Sequence, residues 1–273
     1  YRSGLRHSRY AERKSARMLF KSLISAFSMY SRIPMPQIEW KEENRRYALC
    51  FFPLIGAAIG GLILLWRYIC IKLGIGSLLF GAVSAVIPII VTGGIHLDGF
   101  CDVSDAKASC APKERALEIM SDSHIGAFAA ISLGVYLLLD AAFFSEINNF
   151  KALITAALSF VISRALSGLA AVTFRCAKKE GALQSFAKPA HKNATVTALT
   201  VILVIGIAGM ICIYPAAGIA GAVGALGAFM YYRTFSYKRF GGITGDLAGY
   251  FLQICELSSL VCIVLADKII THI

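Results

Sequence analysis

The chain has 273 residues, of which 57% are hydrophobic and only 16% are charged, and its formal net charge is +11. A soluble domain of this length carries more charge and shorter apolar runs, so the composition excludes a soluble globular protein. The basic residues lie in the N-terminal part and between apolar runs rather than on one folded face. This distribution argues against nucleic acid as a partner.

The basic N-terminal segment is predicted to be a disordered tail over residues 1–17, ahead of a single transmembrane helical domain over residues 18–273. At the start of that domain, Leu19, Leu23 and Phe27 recur at helical spacing. An apolar stripe flanked by basic residues is typical of a helix that lies along the membrane surface. The first apolar segment is therefore expected to be an interfacial helix.

About seven apolar runs approach the ~20 residues that span a bilayer core. They cover residues 48–71, 75–95, 125–144, 151–174, 194–213, 215–232 and 247–266. We therefore predict an all-α, polytopic integral membrane bundle of about seven spans plus the N-terminal interfacial helix. Lys and Arg are concentrated before the first, third, fifth and seventh runs. By the positive-inside rule these segments face the cytoplasm, which predicts a multi-pass protein of the cytoplasmic (inner) membrane.

An acidic motif follows the second apolar run, in residues 93–105. If this segment is helical, Asp98, Asp102 and Asp105 lie on one face, because they are three and four residues apart. Carboxylates at a membrane boundary are costly and usually bind or relay charge. A one-sided cluster is suited to a hard cation such as Mg²⁺, and through it to a phosphate. The alternative is a solvated helix end.

A second acidic pair, Glu118 and Asp122, also shares a helix face. We expect this face to lie opposite the first across a short turn, so that the carboxylates hold one or two Mg²⁺ ions and a spare carboxylate acts as a general base. The alternative is that Glu118 and Asp122 pair with Arg115 or Lys113. All of these acids lie on the predicted cytoplasmic side.

Basic and glycine residues are candidates for phosphate binding. Arg164 lies inside an apolar run and is expensive to bury without an anionic partner. Arg175 and Lys178 could contact phosphate, and the glycines of residues 93–94 and 241–245 would let backbone amides approach it. The basic loop can also serve only as a topology determinant, and glycine clusters also simply close loops.

Three motifs together resemble the adenosylcobinamide-GDP ribazoletransferase, or cobalamin synthase, family. They are residues 92–99 with Asp102 and Asp105, residues 117–128 and residues 241–246. Weaker similarities occur in residues 27–34, 52–56 and 163–165, and all of them follow the family's order from about residue 20 to residue 260.

The resemblance implies a Mg²⁺-dependent membrane transferase that completes the nucleotide loop of cobalamin. A ribose hydroxyl of α-ribazole, or of its 5′-phosphate, attacks the cobinamide-side phosphorus of adenosylcobinamide-GDP, and GMP leaves. By analogy with CDP-alcohol phosphotransferases, the metal ligands are Asp98, Asp102 and Glu118, and Asp122 is the candidate base. Asp105 could serve either role, and His96 is a further catalytic candidate that could equally be structural. The expected substrate- or phosphate-binding residues are Gly93, Gly94, Gly99, His124, Arg164, Arg175, Lys178, Gly242, Thr244 and Asp246.

The chain departs from the family pattern at three positions. His124 stands where the family usually has a basic residue, Ser121 where it often has Lys, and Ala106 where it commonly has Gly. A protonated His124 would replace the usual phosphate contact only partly.

Two other functions remain open at this stage, and so does the oligomeric state. One is a CDP-alcohol-type phosphotransferase acting on a lipid, although the segment after Asp98 lacks that family's full motif. The other is a cation-coupled secondary transporter, although the chain shows no internal repeat and its acids cluster at one edge. The partners that the family resemblance implies are the two cobalamin precursors, and the apolar runs predict the lipid bilayer as a further partner.

Overall fold

The secondary structure of this computed structural model, which describes residues 2–122, 124–178 and 181–272, is helical, and no strand occurs in those ranges. We number the helices α1 to α12 in chain order. They are Arg2–Tyr30, Glu42–Arg45, Ala48–Leu73, Ser77–Thr92, Ile95–Ala108, Lys113–Ile119, Ala127–Ser145, Phe150–Thr173, Ala182–Ala187, Lys192–Ile213, Pro215–Phe240 and Gly245–His272.

Six helices are long and apolar enough to cross a membrane: α3, α7, α8, α10, α11 and α12. The predicted second span, over residues 75–95, corresponds to α4, which passes the same test only together with α5. The two helices are bent by 99° at the break between them. The predicted polytopic all-α bundle is confirmed, with a seventh span if the bent pair is counted as one.

The bend between α4 and α5 is made by two consecutive glycines. Gly93 and Gly94 have φ angles of +67° and +80°, a left-handed conformation that other residues adopt only at a cost. Gly93 ends α4 by donating its N–H to the carbonyl of Ile89. The chain then enters α5, so the predicted helix through Asp98 and Asp105 is confirmed and is turned away from the axis of α4.

Helix α1 packs one face against the start of α3 and leaves the other exposed. Ile24 and Ala26 are buried, whereas Phe20 is 61% exposed. This two-sided pattern agrees with the predicted interfacial helix. The helix begins at Arg2, so residues 2–17, for which the sequence predicted a disordered tail, lie within it. The division of the chain at residue 17 stays a prediction.

Helices α8 and α12 form the centre of the bundle. In the most apolar window of α8, 78% of the residues are buried, against 17% for α10. The central helices approach their neighbours closely at glycines. A Cβ atom at Gly56 of α3 would lie 2.2 Å from the Phe160 backbone oxygen of α8. Small residues at such contacts let membrane helices pack backbone to backbone.

The connections of the chain gather at the two ends of the bundle. At one end, the described residues of 31–47, 93–122, 124–126, 174–178, 181–191 and 241–244 lie together, for example through the Ala177 N–H, which donates to the Ile243 carbonyl at 2.9 Å. At the other end, Asp267 accepts hydrogen bonds from Asn149 at 3.0 Å and from Tyr214 at 2.9 Å. We call the first end the polar end, because it carries the acidic motif and the basic loop.

The α3–α8 contact leads to a test with a control in the same helix. Gly56→Ala should lower the melting temperature of the detergent-solubilised protein, because the new Cβ meets the α8 backbone and overpacking costs about 1–3 kcal/mol. Gly61→Ala places its Cβ in open space. The Gly61→Ala control protein should be as stable as the wild type or more stable, because Ala favours a helix by about 1 kcal/mol over Gly. Equal melting temperatures for the two variants would contradict the close packing.

Candidate functional site at the polar end

Helices α5 and α12 touch backbone to backbone at two glycines. A Cβ atom at Gly99 would lie 2.7 Å from the Asp246 backbone oxygen, and one at Gly249 would lie 2.8 Å from the His96 backbone oxygen. No side chain larger than hydrogen fits at either contact. Gly99 was predicted to bind phosphate, but in the structure it provides the close approach that brings the start of α12 against the acidic helix.

This approach assembles a carboxylate cluster from Asp98, Asp102 and Asp246. Asp98 is exposed, and Asp102 and Asp246 are half-buried. The Asp98 and Asp246 carboxylates both repel that of Asp102, and the Lys178 ammonium group attracts both Asp102 and Asp246. Partly buried like charges raise the energy of a fold unless a cation joins them. The structure therefore places Asp246, predicted to contact substrate, among the predicted metal ligands.

The predicted metal set of Asp98, Asp102 and Glu118 is not assembled. Among the described residues, no three His, Cys, Asp or Glu side chains are placed to hold one metal ion. Glu118 is exposed and forms an ion pair with Arg115 at 2.8 Å. That local pairing was the alternative the sequence left open, and it is the one observed. The oxygen donors of Asp98, Asp102 and Asp246 are nevertheless of the kind that Mg²⁺ prefers.

Asp122 and His124 contact each other. The Asp122 carboxylate accepts the backbone N–H of His124 at 3.0 Å and contacts the His124 ring nitrogen Nδ1 at 2.7 Å. The hydrogen-bonded His124 side chain holds the pKa of the Asp122 carboxyl below its usual value. A lowered pKa makes this carboxylate a weaker base. Whether Asp122 is the base and whether His124 binds phosphate stay predictions.

Asp105 caps a neighbouring helix. Its carboxylate accepts the backbone N–H of Gly126 at 2.6 Å and that of Ala129 at 2.8 Å, at the start of α7. A carboxylate at this position satisfies free N–H groups and complements the helix dipole. Asp105 was a catalytic candidate, and the structure instead gives it a structural contact.

Arg164 has a buried anionic partner. Its guanidinium is 1% exposed and contacts the Glu256 carboxylate at 2.5 Å, and Ser163 donates to the same oxygen at 2.8 Å. Arg164 therefore forms an ion pair between α8 and α12, and its phosphate contact stays a prediction. Sequence reasoning required an anionic partner but did not single out Glu256 or the buried Asp140. Both are acids within apolar runs, and this was the signal that could have found them.

The remaining predicted residues shape the loops of the polar end. Arg175 donates from Nε to the Gly241 carbonyl at 2.9 Å, and its guanidinium lies over the Tyr237 ring. A Cβ at Gly242 would meet the Arg175 carbonyl, and Thr244 accepts the Leu247 N–H at the start of α12. Of these residues, Thr244 also borders a cavity near Asp246.

The last two predicted residues are Lys178, which links two loops, and His96, which is buried between helices. Lys178 donates from Nζ to the Ser121 hydroxyl at 2.7 Å and so links the basic loop to the acidic segment. His96 is buried against Phe52 and Tyr30, and its Nε2 atom has no hydrogen-bond partner among the described residues. The catalytic role predicted for His96 stays a prediction.

The helical bundle and its carboxylate cluster define a polytopic membrane enzyme. Residues 22–264 match the family model described as cobalamin-5-phosphate synthase. The chain belongs to this family and is a transferase of cobalamin biosynthesis.

Relatives named adenosylcobinamide-GDP ribazoletransferase cover nearly the whole chain. One from Lachnoclostridium phytofermentans is 47% identical over 251 residues, which are 92% of this chain and 96% of the relative. One from Treponema denticola is 35% identical over 88% of this chain and 96% of its own length. One from Clostridium perfringens is 30% identical over 89% of this chain and 97% of its own. No solved structure gives a significant match.

The Arg164–Glu256 pair leads to a test of its structural role. Glu256→Gln should lower thermal stability strongly, because an unpaired buried charge costs about 3–5 kcal/mol. The double variant Arg164→Met with Glu256→Met should recover most of that loss, since it buries no charge. Melting temperatures in detergent measure both. A fully stable Glu256→Gln protein would contradict the structural role of the pair.

Proposed function

We propose that the enzyme joins adenosylcobinamide-GDP to α-ribazole, or to α-ribazole 5′-phosphate, giving adenosylcobalamin or its 5′-phosphate and GMP. The observation that carries this proposal is the cluster of Asp98, Asp102 and Asp246 beside Lys178, in a chain of the cobalamin-5-phosphate synthase family. A ribose hydroxyl oxygen forms a bond to the cobinamide-side phosphorus, and the bond from that phosphorus to the oxygen of GMP breaks. The hydroxyl proton passes to a carboxylate.

The donor set supports Mg²⁺ in this proposal. Mg²⁺ is usually held by one or two carboxylates together with substrate phosphates rather than by a cage made only of protein groups. One or two of the Asp98, Asp102 and Asp246 carboxylates, together with the phosphates of the substrate, would hold it, and the bound ion would supply neutralisation of the pyrophosphate charge. The residues of the chain itself position the phosphates: Lys178 places a positive charge beside the cluster, and the glycines at the helix contact keep the cluster in place.

We further propose that the polar end faces the cytoplasm. The connections at this end carry Lys and Arg residues, whereas those at the other end, residues 74–76, 146–149 and 214, carry none, as the positive-inside rule requires. Both substrates carry phosphate or ribose groups that favour water. Access from the cytoplasm brings them to the carboxylate cluster without crossing the bilayer.

The proposal is tested with purified protein in detergent, adenosylcobinamide-GDP and α-ribazole. Wild-type protein should release GMP and form a cobalamin product only with Mg²⁺. Asp98→Asn, Asp102→Asn and Asp246→Asn should each lose about 100-fold or more of this activity, as for the removal of one transition-state contact. Glu118→Gln, a matched acid of the polar end, should keep activity within a few-fold, because Glu118 pairs with Arg115.

Thermal stability separates loss of chemistry from loss of fold in these variants. Asp102→Asn removes a carboxylate that its neighbours repel, so the protein should be at least as stable as the wild type. If Asp102→Asn kept full activity at every Mg²⁺ concentration, the cluster would not be the metal site. If Glu118→Gln lost as much activity as Asp98→Asn, the result would support the ligand set predicted from the sequence, which includes Glu118.

Asp122→Asn tests the base predicted from the family analogy. The contacts with His124 favour a local structural role for Asp122, so turnover should fall by less than about tenfold, whereas loss of a general base costs about 10²–10⁴-fold. The rate of product formation at saturating substrates measures the effect. A loss above about 100-fold in a folded protein would return the base role to Asp122.

A further inference from the structure

An apolar cavity of about 110 Å³ lies beside Asp98 and Asp246. The ends of α1, α3, α5, α8 and α12 enclose it at the polar end of the bundle, together with α9. Its aliphatic wall is formed by Met29, Leu49, Ala171, Leu183 and Leu252. The two carboxylates at its border are therefore reached from an apolar chamber that extends between helices.

Aromatic rings form another side of this cavity. The Tyr30 and Phe52 ring centroids are 4.4 Å apart, and the His96 ring centroid is 5.9 Å from that of Phe52 and 6.4 Å from that of Tyr30. All three residues line the cavity. Aromatic side chains gain most from contact with flat apolar groups and with other rings. The wall is therefore suited to a planar apolar ligand.

A second cavity, of about 160 Å³, lies on the other side of Asp246. Its lining includes the polar side chains of Lys178, Thr244 and Gln184 together with the apolar side chains of Leu183 and Ile243. The buried side-chain carbonyl oxygen of Gln184 has no hydrogen-bond partner among the described residues. Because Gly245, Asp246 and Leu183 border both cavities, the first cavity and the cavity that carries Lys178 meet at Asp246.

We propose that the apolar cavity receives the dimethylbenzimidazole base of the ribazole acceptor, with the methylated ring inside and the ribose at Asp98 and Asp246. This inference rests on the proposed function. The cavity is of the same order as the ~150 Å³ apolar cavity that holds a benzene ring, so it accommodates one ring and leaves the nitrogens at the mouth. The ribose hydroxyl then faces the second cavity, where Lys178 and Thr244 would contact the phosphates of the donor.

The other substrate groups fit this cavity poorly. A corrin ring is far larger than 110 Å³. Guanine carries several hydrogen-bond donors and acceptors, and an apolar wall would leave most of them unpaired at a cost of about 1–3 kcal/mol each. The methylated benzene ring has no polar atom to satisfy, so its burial is favourable.

The test measures binding and catalysis separately. Direct binding of α-ribazole and of the riboside of unsubstituted benzimidazole is measured by equilibrium dialysis, without the donor and without Mg²⁺. Wild-type protein should bind α-ribazole roughly tenfold more tightly, because two methyl groups are buried. Phe52→Leu, which removes a ring of the wall, and Ala171→Val, which fills the cavity, should each weaken α-ribazole binding about tenfold or more and reduce the preference for the methylated base.

The matched control is Phe144→Leu, a buried Phe in α7 that does not line the cavity. It should change neither affinity nor base preference. In the complete reaction, Phe52→Leu should raise the KM for α-ribazole and leave the KM for adenosylcobinamide-GDP unchanged. The two variants act by opposite changes of volume, so one of them remains informative if the other fails to fold.

Three results would overturn the inference. The first is unchanged ribazole affinity and base preference in both folded variants, and the second is a rise in the KM for the donor alone. The third is release of co-purified phospholipid by Ala171→Val with ribazole binding intact, which would assign the cavity to a lipid chain. Failure of the proposed function is a separate result, since wild-type protein would then form no product at all.

Discussion

The close contact between α5 and α12 is the constraint on which the site depends. It exists because two positions, Gly99 and Gly249, have no side chain and let the helices meet backbone to backbone. The geometry that results brings Asp246 against Asp98 and Asp102, so like charges are held together by packing rather than by mutual attraction. Such an arrangement costs stability, and local conflicts of this kind concentrate at functional sites. The same contact therefore shapes the fold and holds the three carboxylates near one another.

A second contact holds the centre of the bundle that carries this site. The Arg164–Glu256 pair joins α8 to α12 deep within the helices, where each charge is buried. Desolvation makes a buried ion pair a poor source of stability, but breaking the pair is costly. The pair therefore penalises any shift of one helix along the other. Since α12 begins at the carboxylate cluster, the register set at Glu256 also sets the position of Asp246 relative to α8.

The sequence correctly predicted the structural features that depend on the local pattern of residues. The apolar runs located the helices that cross the membrane, and the spacing of Asp98, Asp102 and Asp105 correctly indicated one helix. The pattern could not show which acids meet, because that depends on contacts between distant segments. Asp105 finds its partners at the start of α7, and Arg164 finds Glu256 across 92 residues. Glu118 and Asp122 instead form local contacts, with Arg115 and His124, that the spacing allowed but did not require.

The family was recognised from motifs, and the structure adds a reason why those motifs stand where they do. At the end of a membrane bundle, an apolar chamber between helices lies next to carboxylates that belong to the helix ends. A small soluble domain has only a limited core in which to build an apolar chamber next to partly buried carboxylates. Here the spanning helices supply the apolar wall, and the Gly93–Gly94 bend turns α5 so that its acidic face stays at the polar end. A nucleoside whose base is apolar and whose ribose is polar matches that boundary, because each half meets the surroundings in which it is most stable.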